Sequence, residues 1–509
     1  MRCSRCAHIQ KDWESSPAAN RPVKARHAPI VKGMTQSTES NKIRGGDIRA
    51  AGIDDGPVMG VALKAMPRAV KSLGRGGALA HLAEVARAPK THANDQHFGA
   101  VAQRILSDIE KANRRFVERD QLAPLVSFCP DAEAGALEQM INSLRLPSAV
   151  RGALMPDAHQ GYGLPIGGVL ETLGTIVPWA VGVDIGCRMT CAILDIDPDI
   201  FDTNAAALLE QAILKETQFG KGAGLERRAD HAVIDDERWK TNSLVRGLRD
   251  RAWTQLGTSG SGNHHVDFGI VTLDHDDLGL PAGRYVGLLS HSGSRGAGAN
   301  IADHYSKLAR RLHPELPKEL SYLAWLDLDN ESGQEYFALM NLANDYASAC
   351  HATIHDRITR RLKAEVLARV ENAHNLAWLD ERDGQQYVVH RKGATPAGEG
   401  IMGIIPGSMA TPGFIVRGKG NASSIKSASH GAGRAMSRTE ASQRFNWKMV
   451  RPFLEERGVK LLSAGIDENP FAYKNIHEVM NNQTDLVDVV ARFDPRIVRM
   501  ADAGEQPKD

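Results

Sequence analysis

Val181-Gly-Val-Asp-Ile-Gly-Cys187 is the stretch on which the reading of this chain turns. An apolar run stops at a carboxylate, Asp184, and a thiol follows three residues later at Cys187. Carboxylate and thiolate are both anionic ligands for a borderline divalent cation such as zinc or manganese. Gly186 lets the backbone turn so that the two face one point. A strand that enters a turn beside a buried cysteine is spelled the same way, so the stretch alone is a weak signal. Its weight comes from histidines in similar settings elsewhere.

Five segments repeat the pattern of a short apolar run followed by glycines, serines and a ligand-type side chain. They are MPDAHQGYG at 155–163, VGVDIGC at 181–187, GSGNHHVD at 260–267, SHSGSRG at 290–296 and VHRKG at 389–393. A sixth loop, SHGAGR at 429–434, lacks an obvious strand before it. Glycines allow close backbone approach to a ligand, and successive N–H groups form anion-binding nests. Any one such histidine reads first as a polar loop residue; six loops together point to a site. Asp184, Cys187, His264, His291 and His390 offer five ligand groups. That number suits two adjacent metals sharing a bridge better than one closed tetrahedral zinc, and a thiolate is the natural bridge. Asp157 and His159 read as caps of a turn, Asp267 as a strand-end charge, and Cys191 and Cys350 as core residues.

The bulk numbers exclude several classes. The chain has 509 residues, 42% hydrophobic and 24% charged, the balance of an ordinary globular protein. Its net charge of +1, from 62 basic and 61 acidic residues, rules out a polycation, so nucleic-acid contact must come from local patches. An aromatic content of 5% argues against a broad base-stacking surface. The 6 cysteines are scattered, which points to a reducing compartment, and a cytoplasmic location is expected. Cys3 and Cys6 form a lone C-x-x-C with no second pair at zinc-finger spacing. No apolar run reaches the roughly 18 residues of a membrane span, and no secretory signal is evident.

Along the chain, residues 1–40 are polar and punctuated by proline, and they read as a disordered extension. Met34 is a candidate true start; a transit peptide is the alternative, against which Asp12 and Glu14 count. Residues 41–497 are expected to form one large α+β domain, with Gly-rich loops at strand ends converging on a dinuclear metal site. Residues 498–509 are expected to be a flexible tail. Helical spacing covers 99–118, 133–145 and about 333–370, while 174–177, 181–183 and 285–290 read as strands. No Asp or Glu occurs from Gly400 through Thr439, where roughly five would be expected. The same stretch holds Arg417, Lys419, Lys426, Arg434 and Arg438 around His430. A local positive potential of this kind attracts phosphates.

Taken together, MPDAHQGYG, VGVDIGC, GSGNH, HSGSRG, HRKGAT (390–395), PGSM (406–409), HGAGR (430–434) and AYK (472–474) resemble the RtcB-type RNA-splicing ligases, in family order. The resemblance runs from about Ile43 to about Ile497. It implies an enzyme dependent on manganese, two ions per site, and on GTP, which joins RNA 3′-phosphate or 2′,3′-cyclic phosphate ends to 5′-hydroxyl ends. By the same resemblance, His430 attacks the α-phosphorus of GTP and carries GMP as a phosphoramidate. Asp184, Cys187, His264, His291 and His390 are the implied metal ligands. Asn263, His264, Asp267, His390, Arg391, Pro406, Gly407, Ser408, Met409, His430, Gly431, Ala432, Gly433 and Lys474 are the implied nucleotide contacts. Arg295 and Arg434 are candidates for the terminal phosphates or the RNA end, because a guanidinium matches phosphate oxygens bidentately, and Lys392 is a further candidate for the RNA end. RNA with broken ends is the implied partner, with an archease-type activator as a second and no membrane.

The chain departs from the family's usual spelling at several positions. Asp267 replaces a Glu, Gly413 a Ser, Arg188 a Gly, His265 an aromatic residue and Pro396 an Arg. Two other readings stand beside joining: a metal-dependent phosphodiesterase or phosphatase on RNA ends, and a non-catalytic RNA-end binding protein.

Overall fold

Two sheets position the histidines in the computed structural model, which describes residues 43–53, 57–113, 116, 119–382 and 384–502. The expectations for residues 1–40, for Cys3 and Cys6, and for 503–509 lie outside the described residues. The chain divides into two compact units, one ending at Asn113 and one beginning at Arg114. The expected 41–497 span therefore contains two units.

In the first unit, helices Gly45–Ala50, Pro57–Arg87 and Gly99–Asn113 bury Ile48, Met66, Leu82, Val85, Phe98 and Val101 against one another. The Pro57–Arg87 helix is broken at Gly74, whose φ of 69° is non-helical.

The second unit holds both large sheets and two two-stranded ones, Ala394–Pro396 with Ser427–Ser429 and Thr175–Ile176 with Leu326–Asp327. A five-stranded sheet runs in the order Leu125–Ser127, Ala149–Tyr162, Leu164–Leu173, Gln385–Lys392 and Asn375–Arg382. An eight-stranded sheet runs Met402–Ile405, Gly413–Gly418, Val487–Met500, His265–Leu273, Gly283–Ser292, Arg188–Leu194 and Val366–Ala373, with Lys460–Ser463 pairing alongside Val487–Met500. Its two ends come round to meet: Ile404 N donates to Asn372 Oδ1 at 2.8 Å, so the sheet is nearly a closed barrel. Closure leaves little unpaired strand edge. The Val487–Met500 strand runs past residue 497, where the domain was expected to end.

The longest helix is Glu331–Leu362. Leu339, Leu342, Tyr346, Cys350, Ile354 and Ile358 are buried on it, as their spacing predicts. Each large apolar side chain buried this way contributes roughly 1.5–3 kcal/mol. The helix stops well short of residue 370, because Lys363 takes a left-handed conformation (φ 57°) and Val366–Ala373 leaves as a strand. The expected strand at 181–183 is also absent. Pro178 opens a short helix, Pro178–Val181, and Gly182 ends it at φ 97°, so the 182–187 segment is a loop and the strand begins only at Arg188. No helix among the described residues is long and apolar enough to cross a membrane.

Candidate metal and nucleophile site

One edge of the barrel gathers the chemistry. Antiparallel pairing sets Arg188 opposite Ser292 and Ala373, and His265 opposite His291 and Met500. Cys187, His264, His291 and His374 are therefore all placed at strand ends on the same rim. Asp184 joins them through the loop. Cys187 N donates to Asp184 O at 3.1 Å and Gly186 N to Asn375 O at 2.7 Å, which turns both ligands inward. Gly186 has φ 72°, and a Cβ there would lie 2.7 Å from Asn344 Cα, so only glycine fits this turn. Gly293 has a different reason: a Cβ there would fall 2.1 Å from the Asp184 carboxylate.

The donors form two triads, Asp184–Cys187–His264 and Cys187–His291–His374, with the ligand atoms of each within 4.8 Å of one another. Cys187 belongs to both. Its Sγ lies 3.4 Å from His264 Nε2 and 3.2 Å from His291 Nε2, and His291 Nε2 lies 3.3 Å from His374 Nε2. The donor chemistry fits a divalent metal. His291 Nδ1–H is given to Asn263 O at 3.1 Å, which leaves the Nε2 lone pair facing the sulfur and His374. Burial, then the neighbouring histidines, hold His291 and His374 well below the usual imidazole range, so both present neutral lone pairs. Burial acts to raise the Asp184 carboxyl, yet the His264 hydrogen bond and charge keep it below its ordinary value.

His374 was not among the expected ligands, and it takes the place assigned to His390. His390 is fully buried between strands: Val177 N donates to its Nε2 at 2.9 Å and its Nδ1 donates to Leu170 O at 3.1 Å. Both ring nitrogens are thus committed to backbone, so His390 neither ligates a metal here nor faces the cavity. The sequence pattern sought histidines beside glycines, whereas His374 sits in Asn372-Ala-His-Asn375. The signal that would have found it is a histidine directly after a short strand.

His430 adjoins the Cys187–His291–His374 triad on the cavity wall. Its Nδ1 is 2.6 Å from Asp157 Oδ2, which also accepts from His430 N (3.0 Å) and Gly431 N (3.2 Å). Asp157 lies within the Ala149–Tyr162 strand, so it is not the turn cap its sequence suggests; its carboxylate holds the His430 loop. It is fully buried, and although burial opposes its charge, His430 and these hydrogen bonds hold it below the carboxylate range. With Nδ1 occupied, the free nitrogen of His430 is Nε2. The His430 ring is 5.2 Å from that of His374, which is 5.2 Å from His291.

A cavity of about 660 Å³ joins these groups. Of the expected residues, Asp184, Cys187, Asn263, His264, His291, Lys392, Pro406, Gly407, Ser408, Met409, His430, Gly431, Ala432, Gly433 and Arg434 line it. Asp267, His390, Arg391, Lys474 and Arg295 do not. Arg391 instead bonds Ser427 Oγ and the Ile425 and Lys426 carbonyls. Lys474 Nζ donates to Ala158 O at 2.6 Å, and Arg295 is tied to Thr258 Oγ1 and Gly220 O. Asp267 is buried on the His265–Leu273 strand, and burial raises its carboxyl well above the usual range. The residue that reaches the cavity from that strand is His265.

The acid-free 400–439 stretch does not make the isolated positive patch that its sequence suggests. Arg417 pairs with Asp277 at 2.7 Å, Lys419 with Asp488 at 2.9 Å, Arg434 with Glu468 at 3.1 Å and Arg438 with Asp467 at 3.0 Å. Partners from distant segments offset most of the local charge.

A family model described as "tRNA-splicing ligase RtcB" matches residues 139–501. The RNA-splicing ligase RtcB of Escherichia coli (strain K12) is 34% identical over 386 residues, spanning 70% of this chain and 92% of that protein. The RNA-splicing ligase RtcB of Mycobacterium tuberculosis (strain H37Rv) is 31% identical, spanning 70% and 98%. The tRNA-splicing ligase RtcB of Thermococcus kodakarensis is 29% identical, spanning 70% and 89%.

Proposed function

The chain belongs to the RtcB family, and we propose on that premise that it joins RNA 3′-phosphate or 2′,3′-cyclic phosphate ends to 5′-hydroxyl ends by way of a nucleotide carried on His430. The observation that supports this reading best is that His430, held from behind by the buried Asp157, shares one cavity with two donor triads that have Cys187 in common.

Asp157 keeps the proton of His430 on Nδ1 and so aims the Nε2 lone pair at the cavity, the orienting role that a buried carboxylate plays for a reactive imidazole. Nε2 forms a bond to the α-phosphorus of GTP while the bond to the leaving pyrophosphate oxygen breaks. An oxygen of the RNA 3′-phosphate then attacks that phosphorus, breaking the N–P bond and returning the electron pair to Nε2. Attack by the 5′-hydroxyl on the activated RNA phosphate forms the phosphodiester as the P–O bond to the departing GMP breaks and the hydroxyl proton passes to solvent; a 2′,3′-cyclic phosphate enters this sequence after water has added to its phosphorus and the P–O2′ bond has broken, leaving the 3′-phosphate. Asp184, Cys187 and His264 would hold one manganese ion, and Cys187, His291 and His374 the other. Bound there, manganese supplies Lewis-acid stabilisation of charge on phosphate oxygens. The Pro406–Met409 and Gly431–Arg434 segments wall the side where the nucleotide would lie. The Gly431 amide is already given to Asp157, so it does not serve as a phosphate donor.

The test is incubation of the full chain with manganese and GTP labelled at the α-phosphate, followed by intact-mass and peptide analysis. A GMP-sized adduct on His430, lost in His430→Ala, is the expected result. Absence of label from every nucleoside triphosphate would sink the joining reading. Opening of a cyclic phosphate without any adduct would favour a metal-dependent phosphodiesterase.

A further inference from the structure

We propose that the N-terminal helical unit carries a second, separate divalent-metal site, built from His81, His92 and Asp95. These residues precede the part of the chain matched to the family, and no step above uses them.

His81 lies on the Pro57–Arg87 helix, and His92 and Asp95 lie on the turn that leads into Gly99–Asn113. One ligand atom from each falls within 4.8 Å of the others. The carboxylate is already oriented. Asp95 Oδ1 accepts from the backbone N–H groups of His97 (2.9 Å) and Phe98 (2.7 Å), which leaves Oδ2 facing His81 Nε2 at 2.8 Å. Behind His81, its other ring nitrogen, Nδ1, lies 3.6 Å from Glu84 Oε2. The His92 ring meets His81 edge-on, with centroids 5.7 Å apart. His97 adds a further donor close in sequence, and its buried Nδ1 has no hydrogen-bond partner among the described residues.

Without metal, the proton between His81 Nε2 and Asp95 Oδ2 stands where a cation would. Metal uptake replaces that proton, as at any site whose ligands must deprotonate. Two imidazoles and one carboxylate form a nitrogen–oxygen set that suits zinc, with a fourth position for water. The set contains no thiolate, which distinguishes it chemically from the Cys187 centre.

The experiment uses the full chain with Cys3 and Cys6 changed to Ser, stripped of metal and equilibrated with zinc alone. His92→Gln keeps the His81–Asp95 hydrogen bond and should lower the bound zinc by one per chain; an unchanged zinc count would overturn the site in favour of a simple ion pair. A second measurement needs no substitution. Zinc should protect His81 and His92 of the unmodified chain from diethyl pyrocarbonate, read by peptide mass, and equal modification with and without zinc would overturn the proposal as well.

Discussion

At the residue scale Asp157 and His430 form one hydrogen-bonded unit, and its role is open to test. Asp157→Asn replaces an acceptor-only carboxylate with an amide that can present the wrong group to Nδ1. Formation of the nucleotide adduct on His430 should slow by about 10²–10⁴-fold while the far-ultraviolet spectrum stays native, the size of effect expected when an imidazole loses its orienting carboxylate. His374 and His390 make a matched pair of substitutions. His374→Ala should lower bound manganese, measured by metal analysis, because its Nε2 faces His291 Nε2 in the shared triad. His390→Ala should leave the manganese count unchanged. It should instead lower stability in denaturant titration by about 1–3 kcal/mol, since the buried Val177 N–H loses its acceptor.

At the scale of elements, the site depends on loops that carry almost no side chain where they cross. Gly293 follows the Gly283–Ser292 strand and leaves room for the Asp184 carboxylate. Gly293→Ala should push that carboxylate aside. Manganese affinity should fall in a metal titration while the sheet, judged by circular dichroism, remains. Retention of full affinity would show that Asp184 does not need its present position. The Glu331–Leu362 helix illustrates the opposite case, an element whose buried face was legible from spacing alone. Its end was not legible. Apolar spacing runs on into 366–370, and only pairing of Val366–Ala373 with Arg188–Leu194 converts that segment to a strand.

At the scale of the whole molecule, buried neutral histidines set the response to acid. Burial pushes His355 down to about 3, with Arg369 adding to the shift. His390 is pushed down to about 4, again by burial. In the unfolded chain such histidines bind protons near their ordinary pKa of about 6.5. Between roughly pH 6.5 and 4 the unfolded state therefore holds more protons, and stability falls as pH falls through that window. The urea midpoint should drop steadily across it, and His355→Gln should flatten the slope; an unchanged slope would contradict the assignment. The sequence by itself determined the loops, the nucleophile candidate and four of the five donors to the triads, because motif order and residue chemistry are local properties. The convergence of His374 with the other donors, the Asp157–His430 hydrogen bond and the pairing of Arg417, Lys419, Arg434 and Arg438 with distant carboxylates come only from the tertiary structure. Each depends on which distant segments antiparallel pairing and barrel closure bring together, and a local signal such as a histidine directly after a strand names a candidate without fixing its neighbours.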